Sequence, residues 1–483
     1  MKIIIIYDNN ISKNEIISDI IGEKTFADII INKEKIEITT KNKMTKLYPN
    51  CIWKKINSIS DYKDLLIFLE QFKEEDTKIL HFFSNFYIQN LKKIFTTYNK
   101  ILKFKKSYKL FVNNKIANLF FYDKTEYTQF CKNIILNLSK DKAIENIEES
   151  YTIDGLIDLS QIDDFIECIT QNIESRYFNY FEKDKYTITK FSTNKLKIKK
   201  EYDYIQLIPD KMKIWFVTPF NYQENEATAS YTMERLYLTD LSIKWVYGSM
   251  SENDFNTILD KYFYFFRNRP TKNCSKIIYK QQNNELYIKK LFNRIDELKK
   301  LPQYKHINDQ LLLNNIDIDE LVKQYLVLKE KIESKQTFPL IQVIGHGDAI
   351  FSNTLYNKST QIMKFIDPKG ALNEKELWTN PYYDIAKLSH CICGKYDFFN
   401  NDLYEINQNK NLELKINIPT DYEKYIKIFK EKLKDNNIDY NTIRIYEASL
   451  FLSMLPLHID NPHKVLGFIL NAQKILMEIE KDV

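Results

Sequence analysis

The stretch Ile344-Gly345-His346-Gly347-Asp348-Ala349-Ile350-Phe351-Ser352-Asn353, with Asp367-Pro368-Lys369-Gly370 a short distance beyond it, is the most informative part of this chain. Of the 8 glycines in 483 residues, Gly345, Gly347, Gly370 and Gly394 fall in this neighbourhood. Glycine is kept where the backbone must turn tightly or come close to a ligand. Between the two segments, Thr354-Leu355-Tyr356 and Ile362-Met363-Lys364-Phe365-Ile366 read as strands joined by the polar turn Asn357-Lys358-Ser359-Thr360. Such a hairpin returns Asp367 to the side of Asn353.

Three polar residues in this order suit phosphoryl transfer, where catalysis is mostly positioning and neutralisation of charge. Asp348 has the type and place of a carboxylate that orients an acceptor hydroxyl and takes its proton. Asn353 and Asp367 have those of two ligands to a Mg²⁺ ion on the phosphates. The Asp-to-Asn interval equals that of the protein-kinase loop H-R-D-L-x-x-x-N, and Asp367 opens a segment ending in glycine, as D-F-G does.

These segments resemble the aminoglycoside phosphotransferase and choline kinase family, whose loop reads H-G-D-x-x-x-x-N with I-D-x-x-G after it. They look closest to phosphotransferases of bacterial capsular and surface-polysaccharide biosynthesis, through His346 to Asn353, Ile366 to Gly370, and a following helix like Tyr382 to His390. The resemblance implies a protein-kinase-like α+β fold with a small β-rich lobe and a large helical lobe. It implies ATP and Mg²⁺ as cofactors and a sugar or amino alcohol as acceptor, and extends to association with enzymes of polysaccharide assembly. It also gives His346 and Asp384 supporting roles, Asp384 as the brace of the catalytic loop.

Length over 150 gives about three structural units, read here as residues 1–165, 166–236 and 237–483. Lys+Arg 70 against Asp+Glu 65 leaves +5 with the signs mixed, so no basic face points to nucleic acid. The six cysteines lack paired C-x-x-C spacing, which argues against zinc and against a disulfide framework. The apolar opening Ile3 to Tyr7 is shorter than the roughly 7–15-residue core of a signal peptide. The apolar stretch Ala448 to Leu457, broken by Pro456, is too short for a membrane span. A cytoplasmic protein without membrane insertion is the expectation.

Residues 1–165 alternate strand-like and helical runs, an α/β pattern. Ile3–Tyr7, Ile79–Phe83 and Leu119–Tyr122 read as strands; Ile11–Ile21, Tyr62–Phe72 and Phe86–Ile101 read as helices. No glycine occurs between Gly22 and Gly155, and Asp8-Asn9-Asn10-Ile11-Ser12 offers no glycine loop for a phosphate. Some polysaccharide-cluster relatives carry an N-terminal sugar nucleotidyltransferase domain. Residues 1–165 resemble a degenerate one by position and by the exit segment Tyr151 to Asp158, and activity there stays an alternative.

In the next segment Tyr186-Thr187-Ile188-Thr189-Lys190 reads as a strand ending in lysine, and Leu196 to Tyr204 as a helix containing Glu201. A strand lysine that pairs with phosphates and with a helix glutamate is the kinase arrangement. Family resemblance assigns Ser175, Arg176 and Asn179 to the nucleotide, with an ordinary hairpin and a surface arginine as the alternative. Ile214–Pro219 and Tyr231–Leu236 read as further strands, with adenine met by the backbone around Met233 and Arg235, or else an apolar edge strand there.

The remainder is helix-rich, with Asp254–Phe265 and Glu285–Leu298 at helical spacing. His390 reads as a core or pocket-wall histidine, and His458 and His463 have no evident third metal ligand. A nucleotide-binding pseudokinase scaffold is the rival to an active phosphotransferase.

Overall fold

The computed structural model describes residues 2–73, 77–170, 179–407, 412–418 and 421–482. The chain forms two compact units, Met1–Glu174 and Ser175–Val483. The helix Ile162–Thr170, across which the sequence reading drew its first boundary, lies within the first unit.

Four consecutive isoleucines open the first unit, and a run of β-branched residues without polar alternation suits a strand covered on both faces. Lys2–Asp8 is such a strand, paired in parallel with Ile52–Ile56 on one side and Thr77–Phe83 on the other. Lys115–Phe121 adds antiparallel to the latter, and a hairpin to Tyr108–Val112 and a final strand, Glu149–Thr152, complete six strands. Asn113 and Asn114, at φ 47° and 63°, make the hairpin turn. Asparagine here does what glycine usually does, since its short side chain tolerates the left-handed region.

Two helical expectations shift. The first helix starts at Glu15 rather than Ile11, because Asn14 caps it by accepting from Ile17 N at 2.9 Å. Phe86–Ile88 is a strand paired with Leu156–Asp158, and the helix begins only at Leu91, capped by Asn90.

The second unit opens with a four-stranded antiparallel sheet in the order Asn179–Lys183, Thr187–Ser192, Ala229–Glu234, Pro219–Glu224. Lys195–Leu207 is the helix between the second strand and the rest, and it buries Ile198, Glu201, Tyr204 and Ile205. Ile214–Pro219 is not a strand. Trp215 and Phe216 instead close turns on Met212 and Lys213, and only a single bridge joins Phe216 to Phe365. The strand starts at Pro219, a position where proline's missing donor is tolerated.

The rest of the unit is predominantly helical, including Glu252–Asn268, Ile318–Ser334, Tyr383–Ile392, Tyr440–Met454 and Pro462–Asp482. The expected helix Glu285–Leu298 is interrupted in character: Glu285–Lys289 is a π-helical turn between Lys276–Asn284 and Lys290–Lys300. One apolar core runs from Tyr204 and Phe216 on the sheet side to Phe468 and Ile479 near the C-terminus. The six cysteines are free thiols. No helix among the described residues is long and apolar enough to cross a membrane.

The sheet-side helix and the Asp367 segment meet backbone to backbone. Ala371 N donates to Lys200 O at 3.0 Å, and Gly370 at φ +86° has no room for a Cβ, which would lie 2.5 Å from the Lys200 carbonyl carbon. Gly370→Ala therefore combines a left-handed backbone with a steric overlap. It is expected to lower unfolding free energy by at least the roughly 1–3 kcal/mol of such strain. A urea midpoint unchanged from wild type contradicts this account of the junction.

Candidate active site

The strand Ile341–Ile344 delivers the chain into the loop, and Asp384 grips the loop backbone directly after it. Its two oxygens accept from His346 N at 2.9 Å and Gly347 N at 2.7 Å. Arg269 holds the same carboxylate at 2.6 Å and also donates to Pro381 O, with both partners of the ion pair essentially sealed from solvent. Tyr204 OH adds a bond to Gly345 O at 2.9 Å. Asp384 and Tyr204, with Arg269 behind Asp384, thus fix the backbone from Gly345 to Gly347.

His346 is a wall of that turn. Its ring lies flat on Phe216, Nδ1 accepts from Asp348 N at 3.1 Å, and Nε2 donates to Ile366 O at 3.0 Å. The two bonds define one neutral tautomer. Burial lowers the affinity of this ring for a second proton and outweighs the nearby carboxylates Asp384 and Asp348.

Asp348 sits next, with Asn353 Nδ2 donating to both its carbonyl at 3.0 Å and its carboxylate at 3.1 Å. Lys387 Nζ lies 2.9 Å from its other carboxylate oxygen. Burial pushes the Asp348 carboxyl up, but the Lys387 ammonium outweighs it and holds the group below the usual carboxylate range. A third of the side chain remains open to solvent, 36%. An accessible, ionised oxygen is what a proton acceptor needs.

The hairpin Thr354–Tyr356 and Met363–Phe365 brings Asp367 home. Ile366 N donates to Asn353 O at 3.0 Å, so Asn353 and Asp367 are neighbours across the backbone. Asp367 takes φ +53°, a strained position for any residue but glycine that aspartate tolerates better than most. Lys190 reaches it from the sheet: Nζ donates to Asp367 Oδ1 at 2.8 Å and to Glu201 Oε2 at 2.7 Å. Tyr231 OH donates to the same Glu201 oxygen at 3.0 Å. Burial disfavours the Lys190 ammonium, yet Asp367 and Glu201 outweigh it and keep the charge; burial likewise opposes ionisation of Asp367, and Lys190 reverses it.

A narrow cleft opens beside this triad, lined by Glu201, Tyr231, Met233, Val217, Ile366 and Asp367 among others. Met233 lines this cleft. Arg235 is not in the cleft lining: its guanidinium donates to Asp184 O at 2.7 Å and its backbone N to Tyr186 O at 2.8 Å, closing the turn ahead of the Lys190 strand. Ser175 and Arg176 lie outside the described residues. Asn179 pairs with Ser192 as the first residue of its strand.

Asn353 and Asp367 fit a divalent cation bound to phosphate oxygens. The Asn353 amide spends its NH₂ on Asp348, which leaves its oxygen as a ligand, and Lys190 occupies one oxygen of Asp367, leaving the other. Among the described residues no group of three or more His, Cys, Asp or Glu forms a metal cage of its own. Two protein oxygens with the remainder from phosphate and water is the usual manner of Mg²⁺.

Arg269, Lys387 and Tyr204 were not singled out from sequence. Lys387 stands one turn beyond Asp384 and so shares its helix face, a signal that was readable. Nothing local marks Arg269, whose partner is 115 residues away. His390 is buried against Tyr396 and Phe451, and His463 meets Tyr404 OH at 3.0 Å.

No protein-family model and no curated protein matches the chain. Among solved structures, it is similar to spectinomycin phosphotransferase APH(9)-Ia in complex with ADP and spectinomycin, at 11% identity over 64% of this chain and 91% of that one, TM-score 0.39. It is similar to an apo thermostable mutant of aminoglycoside phosphotransferase APH(4)-Ia, at 10% identity over 62% and 94%, TM-score 0.35. Aminoglycoside phosphotransferase APH(3'')-Id from Streptomyces rimosus, with ADP and streptomycin, gives 13% identity over 62% and 98%, TM-score 0.31. The functional reading rests on the side-chain geometry.

Lys387→Met tests the electrostatics of this site. Removing the ammonium leaves burial opposed only by the weaker influence of His346 and Lys290, so the Asp348 carboxyl, held low in the wild type, is expected to titrate higher in the variant than in the wild type. A ¹³C-NMR titration reads it, and an unmoved or lowered pKa rejects the pairing.

Proposed function

We propose that the chain is a Mg²⁺- and ATP-dependent phosphotransferase that moves the γ-phosphoryl group of ATP to the hydroxyl of a small molecule. The observation that carries the reading is the convergence of Asp348, Asn353 and Asp367 through the Ile366 N to Asn353 O bond, with Lys190 bridging Asp367 and Glu201. A lysine strand, a glutamate helix, a catalytic loop and a returning aspartate in this order are the working parts of a kinase.

In this reading the apolar cleft around Val217, Ile366 and Met233 receives the nucleotide base. Lys190, held charged by Glu201 and Asp367, faces the phosphates. The free oxygens of Asn353 and Asp367 would hold Mg²⁺, which when bound would neutralise charge on the phosphates. Asp348 accepts the proton of the acceptor hydroxyl as its oxygen bonds to the γ-phosphorus, and the bond to the bridging oxygen breaks to release ADP. Lys387 and the Asn353 amide point the Asp348 carboxylate, while Asp384 and Arg269 fix the loop that carries it. The narrower acceptor class, a sugar or related metabolite of surface-polysaccharide assembly, is supported by the motif resemblance.

Asp348→Asn keeps the size of the side chain and removes the charge that accepts the proton. Phosphoryl transfer is expected to fall by about 10²–10⁴, the usual contribution of a positioned base, with Mg·ATP affinity within a few-fold of wild type. Coupled ADP-release kinetics and calorimetry measure the two quantities. Full activity in the variant sinks the assignment of the base; nucleotide binding without transfer to any acceptor in wild type marks a scaffold instead.

A further inference from the structure

The surroundings of Asp348 are basic in a way its own chemistry does not require. Asp348 is paired with Lys387 and Asp384 with Arg269, while Asp367 and Glu201 share Lys190 and Glu201 also meets Lys197, which balances the four carboxylates of the site. Two lysines are left over. Lys290 donates to the neutral hydroxyl of Tyr383 at 2.8 Å. Lys369 lays its stem against the loop one residue before Asp348, where a Cβ on Gly347 would lie 2.5 Å from Lys369 Cβ. Neither makes an ion pair among the described residues, whereas the neighbouring Lys289 and Arg294 are each neutralised within their own helix, by Glu285 and Glu297.

The placement is specific. Tyr383 and Lys387 are one turn apart on the helix that braces the catalytic loop, so the Lys290 contact and the Asp348 contact share one face. Lys290 stands directly after the π-helical turn Glu285–Lys289, closed by Lys290 N on Glu285 O. Wide turns of this kind forgo regular helical bonding and recur at functional sites, where they re-aim a side chain.

We infer that the acceptor is an alcohol bearing a carboxylate or phosphate group, and that Lys290, with Lys369, receives this anion while the hydroxyl faces Asp348. The inference rests on the phosphotransferase reading of the same site. Titration behaviour agrees: burial pushes the Tyr383 hydroxyl up, yet Lys290, Lys387 and Lys369 together hold it below its ordinary value. An acceptor carrying ammonium groups would meet like charge here, so this site selects against cationic alcohols and amino sugars.

Sulfate is the probe, titrated by calorimetry into the full chain saturated with Mg·ADP and, separately, with Mg·AMP-PNP. One sulfate is expected in both, weakened about 10-fold or more in Lys290→Gln, as for loss of a charged hydrogen-bond partner. Affinity of that variant for Mg·ADP should stay at the wild-type value, which also shows that it is folded. No sulfate binding, or binding indifferent to Lys290→Gln, overturns the inference. Sulfate excluded by AMP-PNP overturns it too, because the anion place then belongs to the γ-phosphate. Turnover with glycerate, glycerol phosphate, glycerol and choline gives the second arm: a preference for glycerol or choline contradicts an anionic acceptor. Failure of the phosphotransferase reading shows separately as absent Mg·ADP binding, with sulfate titrated into nucleotide-free chain.

Discussion

A fully buried ammonium must be surrounded by countercharge or it loses its proton, and Lys190 sets that condition at the centre of the second unit. It has no solvent exposure, and it draws Glu201 from the helix Lys195–Leu207 and Asp367 from the end of the hairpin to within 2.8 Å. Satisfying one cation thereby joins the sheet, the helix and the Asp367 segment. Removing both carboxylates would leave an uncompensated buried charge, at a cost of about 3–5 kcal/mol, whereas removing one leaves Lys190 paired with the other. The same need explains why Asp367 is held in a left-handed conformation: the Gly370 turn and the Ala371 bond to Lys200 carry the segment against the helix, and Asp367 must then face back toward Lys190.

A second buried pair does for the loop what Lys190 does for the lobe. Arg269 and Asp384 are sealed from water, and the carboxylate spends its remaining lone pairs on the amides of His346 and Gly347. The backbone donors of His346, Gly347 and Asp348 are each answered, as buried amides must be. Asp348 is then presented on a rigid frame with its ionisation set by Lys387.

Much of this was legible because it is local. The interval from Asp348 to Asn353, the polar turn between two short strands, and a strand lysine followed by a helix glutamate are patterns that chain geometry alone enforces. The pairing partners Arg269, Lys387 and Tyr204 were hidden, since an ion pair across a fold leaves no trace in spacing. Ile214 to Val217 looked like a strand by composition, but their aromatic rings turn inward onto Phe265 and Phe365, so tertiary packing decided their conformation. Glycine scarcity was a fair guide around Gly347 and Gly370 and a poorer one in the first unit, where Asn32, Asn113, Asn114 and Asn137 take left-handed turns.

Asn353 and Asp367 are proposed to meet a cation on a nucleotide beside Lys190, and every other role assigned to the site depends on that meeting. Nucleotide affinity measured with Mg²⁺ and with a chelator, in wild type and in Asp367→Ala, addresses it directly. Mg²⁺ is expected to tighten ADP binding to the wild type at least about 10-fold, or 1.4 kcal/mol, and the variant, still folded by circular dichroism, is expected to lose this dependence. Equal affinity with and without Mg²⁺ in the wild type, or a Mg²⁺ dependence that survives in Asp367→Ala, would contradict it.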